Sequence, residues 1–185
     1  MAKQPAIFLD RDGVINEDGN YVGCVDDFHF IEGSIEAMQA FKKAGWLVVV
    51  VTNQSGIARG VFSEADFLAL TEWMDWSLVD RGVTLDGIYY CPHHPDYGGE
   101  DYQQVCDCRK PNPGMFMQAA EELDIDLEQS WMVGDKESDL LAAKRAGVQH
   151  RLLVRSGEAI SSSTEELAEQ VIANLAAASE IILAK

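Results

Sequence analysis

Short apolar segments alternate with longer amphipathic segments along this chain, which is typical of an α/β protein with a mostly parallel sheet. The apolar segments predict strands at residues 6–9, 46–51, 88–91, 131–133 and 152–154. The first two are apolar at every position, as expected of strands buried on both faces. The pattern therefore predicts a Rossmann-like, mostly parallel sheet with helices on both faces.

Four amphipathic segments predict helices, at residues 34–44, 63–80, 113–123 and 137–146. Ser34 and Ser63 are expected as N-caps, because their hydroxyls can accept hydrogen bonds from first-turn amides. Pro113 is expected in the first turn of its helix, where proline is tolerated. Gly45 and Gly147 follow the last turns and are expected to end their helices.

Two further segments do not follow this alternation. Residues 92–112 contain proline, glycine, histidine and two of the four cysteines, with a third directly before them at Cys91, and so long a loop is usually functional or separately stapled. Residues 161–164 predict a linker or cap before an alanine-rich tail. That tail fits either one helix or a short strand at 171–172 followed by a helix. For a chain of 185 residues we expect a single domain, 1–185, with a loop at about 91–112 inserted.

The formal charge of −17 argues against nucleic acid or an anionic membrane as a partner, since both need basic surface. The longest apolar run is too short to cross a bilayer, and residues 1–5 do not resemble a signal peptide. We therefore expect a cytoplasmic protein. Most of its carboxylates are expected to form a solvated surface. If the ligand is an anion, the site must create a local positive field from a metal ion and a few cationic side chains.

Three aspartates follow predicted strands, and ligands of open parallel sheets bind at the carboxyl ends of strands. Asp10 and Asp12 follow the first strand, and Asp135 follows the strand at residues 131–133. One such aspartate alone would suggest only a turn or a helix cap. Carboxylates this close repel each other unless a cation lies between them, and Mg²⁺ prefers oxygen ligands and attracts phosphate. The set therefore predicts a magnesium site at Asp10, Asp12 and Asp135.

Two further segments supply groups suited to a phosphoryl group. Thr52 offers a hydroxyl and backbone amides at the end of the second strand, although the 52–55 segment alone would be only a polar turn. Lys110 is suited to neutralise charge that develops on a transferred phosphoryl group, and Arg109 to bind a second anionic group. An Arg–Lys pair by itself is usually a solvated surface feature, but this pair borders the cysteine-containing loop.

Four potential zinc ligands lie in two short pairs separated by twelve residues, Cys91 with His93 and Cys106 with Cys108. Three thiolates and one imidazole complete a tetrahedral coordination shell, which is typical of structural rather than catalytic zinc. His94 is an alternative to His93. Free reduced cysteines are the simpler interpretation, but the clustering favours zinc. Cys24 stands apart and is expected to be an ordinary buried or half-exposed thiol.

With Asp10-x-Asp12, Thr52, Lys110 and Gly134–Asp135 in order, the chain resembles the haloacid dehalogenase superfamily of phosphatases. The resemblance implies that Asp10 is the nucleophile and forms an aspartyl-phosphate. It implies that Asp12 is the general acid/base, a residue that marks phosphatases and phosphomutases within the superfamily. Thr52 and Lys110 would stabilise the phosphoryl group.

The segments 10–16, 52–60, 106–111 and 134–139 resemble more closely the subgroup of heptose-bisphosphate and histidinol-phosphate phosphatases. This subgroup has no large cap domain, and its zinc loop and the segment after Gly13 shield the site. The resemblance implies substrate contacts at Asp18, Gly19, Asn20, Tyr21, Asn53, Gln54, Ser55, Arg109 and Lys136. It implies a monomer that acts on a small anionic sugar phosphate in lipopolysaccharide core synthesis.

Two alternatives to a heptose-bisphosphate substrate stay open. A histidinol-phosphate phosphatase would share the motifs and the zinc loop, and Arg109, suited to a second phosphate, favours the bisphosphate. A non-catalytic sugar-phosphate sensor would need neither the nucleophile Asp10 nor the acid Asp12.

Overall fold

The computed structural model describes residues 2–185; Met1, part of the N-terminal segment judged unlike a signal peptide, lies outside the described residues. Six strands form one sheet in the order β3-β2-β1-β4-β5-β6, and all neighbouring pairs are parallel. The strands are β1 (Ala6–Leu9), β2 (Leu47–Asn53), β3 (Gly87–Cys91), β4 (Trp131–Gly134), β5 (His150–Val154) and β6 (Gln170–Ile172). The predicted α/β fold class is confirmed.

Both faces of the sheet are buried under helices. The helices are α1 (Ser34–Lys43), α2 (Ser55–Ala58), α3 (Glu64–Val79), α4 (Gly99–Tyr102), α5 (Gly114–Leu123), α6 (Glu137–Ala146), α7 (Ser162–Glu165) and α8 (Leu175–Leu183). Successive side chains of a strand point to opposite faces. Accordingly, Ile7 of β1 packs in the apolar cluster that includes residues of α1, α3 and α8. Phe8 packs in the cluster that includes residues of α5 and α6. This two-sided burial fixes the central strands, and therefore the position of the residues that follow them.

The predicted N-cap role of Ser34 is wrong. Gly33 occupies the N-cap of α1 with φ 84°, a left-handed conformation that glycine adopts without strain. The buried Ser34 hydroxyl instead donates a hydrogen bond to the carbonyl of Ile15 (3.0 Å). Ser34 therefore ties α1 to the segment that follows the first strand.

The other helix ends largely agree with the sequence. Ser63 caps α3 in a capping box, accepting from the Asp66 amide (3.0 Å) while the Asp66 carboxylate accepts from the Ser63 amide (3.1 Å). Gly45 and Gly147 follow α1 and α6 with φ 90° and 97°. Pro113 occupies the N-cap of α5, one position before the predicted first turn.

The C-terminal tail adopts the second of its two predicted forms, a strand (β6) followed by a helix (α8). Asn174 caps α8 by accepting from the Ala177 amide (3.1 Å). The sequence also missed α2, which begins directly after the polar turn at 52–54, and α4 inside the cysteine loop. No helix in residues 2–185 is long and apolar enough to cross a membrane.

Candidate active site

The strand order brings the predicted strand-end residues together. β1 lies between β2 and β4, so Asp10, which follows β1, has Thr52 and Asn53 of β2 on one side. Asp135, which follows β4, lies on the other side. Asp10, Thr52 and Asp135 are all buried. A parallel sheet with adjacent strands ending at one edge is sufficient to cause this convergence.

Lys110 reaches into this cluster from the segment before α5. Its buried ammonium lies 3.2 Å from the Asp10 carboxylate and donates to Asp139 (2.5 Å) and to the Val51 carbonyl (2.9 Å). Burial alone would lower the pKa of Lys110, but the Asp10 and Asp139 carboxylates outweigh burial and raise this pKa. Lys110 is therefore a fixed positive charge beside Asp10.

Asn53 holds the backbone of Lys110 in place. Its side-chain amide donates to the Lys110 carbonyl (3.1 Å), and its side-chain oxygen accepts from the Lys110 amide (3.0 Å). The sequence assigned Asn53 to substrate contact, and the structure adds this positioning role. The end of β2 therefore fixes where the Lys110 side chain enters the site.

Three buried carboxylates, Asp10, Asp135 and Asp139, place oxygens within 4.8 Å of one another. Burial and the neighbouring carboxylates raise the pKa of Asp135 to about 9. Burial, followed by Asp139, raises the pKa of Asp10 as well. Oxygens packed this closely fit a hard divalent cation such as Mg²⁺.

The hydrogen bonds of this trio show which carboxylates are free to hold an ion. Asp139 is occupied, since one oxygen accepts from Lys110 and the other from the amides of Asp135 and Lys136 (3.1 Å each). Asp135 is not, because its buried Oδ1 has no hydrogen-bond partner among the described residues. An unpaired buried carboxylate oxygen is costly unless a cation binds it. Asp10 and Asp135 therefore fit the magnesium ion best.

The predicted metal trio differs from this one in a single member, because the Asp12 carboxylate lies outside the group. It accepts from the Arg11 guanidinium (2.9 Å), from the Asn16 amide (2.9 Å) and from the Gln54 amide (3.2 Å). The same Gln54 amide donates to the Thr52 hydroxyl (2.9 Å). These donors orient the Asp12 carboxylate independently of the trio.

A segment after β5 completes the pocket around Asp135, and the sequence analysis missed it. The Glu158 amide donates to Asp135 Oδ2 (3.1 Å), and the Ser156 hydroxyl donates to the Gly13 carbonyl (2.7 Å). A β-carbon on Gly157 would lie 2.0 Å from Asp135 Oδ2. Only glycine fits this close approach. The strand-end rule, applied to the fifth predicted strand, would have found this segment.

Two adjoining cavities open at this edge of the sheet. The smaller cavity has a volume of about 30 Å³, and Asp10 and Asp139 line it but not the larger one. The larger cavity has a volume of about 490 Å³, and Arg109 is among the residues that line it alone. Residues that line both are Asp12, Asn53, Lys110, Lys136 and Ser138.

The larger cavity contains most of the predicted substrate contacts. They are Asp18, Asn20, Tyr21, Asn53, Gln54, Ser55, Arg109 and Lys136. Gly19 and Thr52 line neither cavity. Arg59 and Glu158 also line the larger cavity, although neither was predicted from the sequence to contact substrate. The Glu158 carboxylate lies 3.5 Å from the Lys136 ammonium.

The four predicted zinc ligands meet beside this cavity. The sulfur of Cys106 lies 3.5 Å from that of Cys91 and 3.4 Å from that of Cys108, and His93 Nδ1 lies 3.5 Å from the Cys108 sulfur. A tetrahedral zinc ion with Zn–S bonds of about 2.3 Å requires ligand separations of about 3.8 Å. The donor set and its spacing therefore fit structural zinc.

His94 and Cys24 lie outside this four-residue cluster. His94 faces away, because its Nδ1 accepts from the Asp96 amide (3.0 Å), so His93 is the imidazole of the group. Hydrogen bonding, first from Cys91, lowers the pKa of Cys108 to about 5, whereas the hydrogen bond to Cys108 and burial raise the pKa of Cys91. In this arrangement Cys91 is the donating thiol and Cys108 the thiolate. Cys24 is exposed rather than buried or half-exposed.

Comparisons with known proteins agree with this geometry. A family model described as HAD-hydrolase-like matches residues 107–178. The chain is 59% identical over 177 residues to the D-glycero-beta-D-manno-heptose-1,7-bisphosphate 7-phosphatase of Escherichia coli, covering 95% of this chain and 93% of the relative. It is 58% identical to the protein of the same name from Photorhabdus laumondii, covering 93% of this chain and 92% of the relative.

A solved structure of D,D-heptose 1,7-bisphosphate phosphatase from B. bronchiseptica, complexed with magnesium and phosphate, has a similar fold. It is 37% identical with a TM-score of 0.85, and the alignment covers 98% of this chain and 99% of that one.

Proposed function

The chain belongs to the D-glycero-beta-D-manno-heptose-1,7-bisphosphate 7-phosphatases, a family of HAD-like phosphoric monoester hydrolases, and from this membership we propose its reaction. It removes the 7-phosphate of D-glycero-D-manno-heptose 1,7-bisphosphate and releases heptose 1-phosphate, which serves ADP-heptose and lipopolysaccharide core synthesis in the cytoplasm. The observation that carries the proposal is the buried Asp10 carboxylate, 3.2 Å from the Lys110 ammonium at a central strand end.

In the first step, an Asp10 oxygen attacks phosphorus in line with the sugar oxygen, and the bond between phosphorus and that oxygen breaks. Asp12, as a carboxylic acid, gives its proton to the departing sugar oxygen. Lys110 and the Thr52 segment balance negative charge on the transferred group. The product of this step is an aspartyl-phosphate on Asp10.

In the second step, the Asp12 carboxylate takes a proton from a water molecule, which attacks the phosphorus of the aspartyl-phosphate. Inorganic phosphate leaves, and both aspartates return to their starting states. The hydrogen bonds from Arg11, Asn16 and Gln54 support this role, because they hold the Asp12 carboxylate in one orientation for both proton transfers.

Two metal ions complete the proposal. A magnesium ion would be held by Asp10 and Asp135 and would supply positive charge to a bound phosphoryl group. Asp12, the third residue that the sequence predicts at this site, lies next to Asp10 in the chain, but its carboxylate is occupied by other partners. A structural zinc at Cys91, His93, Cys106 and Cys108 holds the loop that carries Arg109 and Lys110.

The mechanism is tested by Asp10→Asn. Phosphate release should fall by more than about 10⁴-fold with the unfolding temperature nearly unchanged, because the nucleophile is lost and the fold is kept. Asp80→Asn, an exposed position at the end of α3, serves as the control. Undiminished magnesium-dependent release by Asp10→Asn would rule out the aspartyl-phosphate, and no turnover by the unmodified protein would favour a non-catalytic sensor.

The substrate is tested with a panel that contains the heptose bisphosphate and histidinol phosphate. We expect kcat/KM to be at least about 100-fold higher for the bisphosphate, because Arg109 in the larger cavity is suited to a second phosphate. Equal or better turnover of histidinol phosphate would assign the chain to the other branch of the subgroup.

A further inference from the structure

The Arg59 side chain, which lines the larger cavity, contacts two aromatic rings from different segments of the chain. It follows α2 as its C-cap residue. Its guanidinium carbon is 4.3 Å from the ring centre of Tyr97 in the zinc loop and 5.7 Å from that of Tyr21 in the segment after Gly13. Both separations lie in the cation–π range. The two rings fix the direction of an otherwise flexible side chain.

The charge of Arg59 has no acidic partner in the described part of the chain. Acidic residues outnumber lysine and arginine by 31 to 14. Even so, no carboxylate in residues 2–185 lies within 4.0 Å of Arg59 or Arg109, whereas Lys110 has two such partners and Lys136 has one. Two unpaired guanidinium groups on one cavity of a strongly acidic protein indicate an anionic ligand between them.

Arg59 and Arg109 lie away from the reacting end of the site. Asp10 lines the smaller cavity, whereas both guanidinium groups line only the larger one. Arg109 donates to the His93 carbonyl (3.3 Å), and Arg59 stacks on Tyr97, four residues farther along the same loop. A substrate phosphate beside Asp10 therefore leaves the rest of the molecule directed toward the two arginines.

From this arrangement we infer that Arg59 determines substrate specificity by binding the non-reacting phosphate, which Arg59 and Arg109 hold from two sides. Tyr21 and Tyr97 act as positioning residues that keep the Arg59 guanidinium directed into the cavity. The inference rests on the proposed function, because it requires a substrate with two phosphates. It adds a residue from the 52–60 segment to a subsite for which the sequence supplied only Arg109.

The test compares Arg59→Gln and Arg59→Lys on heptose 1,7-bisphosphate and on heptose 7-phosphate, which lacks only the second phosphate. Arg59→Gln should lower kcat/KM for the bisphosphate by about 10- to 100-fold, mainly through KM, and leave heptose 7-phosphate within about twofold. Arg59→Lys should recover part of the loss, because it keeps the charge but not the planar stacking. Arg81→Gln, on a side chain that donates to the Ser77 carbonyl, is the control.

Equal losses on both substrates, or no loss on either, would overturn the inference while leaving the proposed function intact. If the unmodified protein does not hydrolyse heptose 1,7-bisphosphate more efficiently than heptose 7-phosphate, the proposed function itself is overturned. A Tyr97→Leu variant separates positioning from folding. Its bisphosphate KM should rise, and Arg59→Gln should cost less in its background, because the two residues act as one unit. If the effects of Tyr97→Leu and Arg59→Gln on the bisphosphate KM are strictly additive, Tyr97 does not position Arg59.

Discussion

Asp135 combines a buried oxygen that has no hydrogen-bond partner in residues 2–185 with a pKa raised to about 9, by burial first and then by Asp10 and Asp139. In the unfolded chain, the pKa of this carboxyl is near its ordinary value of 3.8. Between pH 3.8 and about pH 9, the folded chain without magnesium therefore binds more protons than the unfolded chain. The contribution of Asp135 to stability is therefore greatest at low pH and is lost as the pH rises through this window.

Asp135→Asn should therefore make the magnesium-free protein more stable and the enzyme inactive. We expect the unfolding temperature at pH 7.5 to rise, by about 2–4 °C for each kcal/mol of relieved desolvation and repulsion. Phosphate release should fall by more than about 100-fold. Calorimetry and a phosphate assay check both; a lower unfolding temperature would contradict the unfavourable environment inferred for this carboxylate.

Gly157→Ala should disturb the same carboxylate from outside. The added β-carbon would meet Asp135 Oδ2 at 2.0 Å, so either the carboxylate or the loop must move. We expect magnesium affinity, measured by activation of phosphate release, to weaken by about 10- to 100-fold. An activation curve that coincides with that of the unmodified protein would show that the loop accommodates the methyl group freely.

At the residue scale, the sequence identifies groups better than it identifies their directions. Asp10 could be recognised because its motif follows a strand that the apolar pattern predicts, and Lys110 because the Arg–Lys pair borders the cysteine-containing loop. The partners of Asp12 and the closeness of Asp139 to Asp10 depend on side-chain directions that no spacing reveals. Arg59 was overlooked because a single arginine after a polar turn carries no signal until Tyr21 and Tyr97 surround it.

At the scale of elements, the loop at about 91–112 is held by two sets of contacts. The cysteine and histidine cluster is one, and the other is Glu64 at the start of α3. The Glu64 carboxylate accepts hydrogen bonds from Tyr90 of β3 (2.6 Å) and from Tyr102 of α4 (2.9 Å). Helix α3 therefore supports the loop as well as the core.

Cys106→Ser should remove zinc and loosen this loop. We expect zinc content to fall from about one ion per chain and the unfolding temperature to fall by about 5–10 °C, because each kcal/mol lost lowers it by about 2–4 °C. Cys24→Ser is the matched control, since that thiol is exposed and lies outside the cluster. Elemental analysis measures the zinc content. If the freshly purified, unmodified protein contains no zinc, the proposed site is refuted.

Ser63→Ala should weaken α3 at its capping box. The expected loss is about 1 kcal/mol, or about 2–4 °C in unfolding temperature. Ser162→Ala, whose hydroxyl makes no hydrogen bond in the described part of the chain, should have little effect. A destabilisation by Ser63→Ala no larger than that of this control would show that the box contributes nothing.

Element boundaries were predictable wherever a local signal decided them. The capping box of α3 and the glycine after α6 are such signals. Helix α1 was misassigned at its start because Gly33 and Ser34 compete for the cap, and the tertiary bond from Ser34 to Ile15 decides between them. The tail was undecided because β6 is only three residues long and depends on pairing with β5.

At the scale of the whole molecule, the chemistry is concentrated at one edge of the sheet. Buried acidic side chains there destabilise the folded chain when no cation is bound, and the two apolar clusters on the faces of the sheet offset this cost. The general architecture followed from the apolar pattern alone. The cavity did not, because its walls are loops whose paths are set by contacts distant in sequence.

Magnesium should therefore stabilise the entire chain. A concentration of 100 times the dissociation constant contributes about 2.7 kcal/mol, which corresponds to a rise of about 5–11 °C in unfolding temperature. The rise should disappear in Asp135→Asn and on addition of a magnesium chelator. An equal rise in Asp135→Asn would place the ion elsewhere.

The four-residue cysteine and histidine cluster lies between Lys110 and the outer part of the loop. Positions 108–110 carry, in succession, a cysteine of this cluster, the guanidinium of Arg109 and the ammonium beside Asp10. Cys91 and His93 precede residues 94–105, and Cys106 and Cys108 follow them, so the cluster separates that stretch from Lys110. This stretch reaches the larger cavity through Tyr97, whose ring contacts Arg59. A change at Tyr97 would thus alter the far end of the cavity and leave the groups beside Asp10 in place.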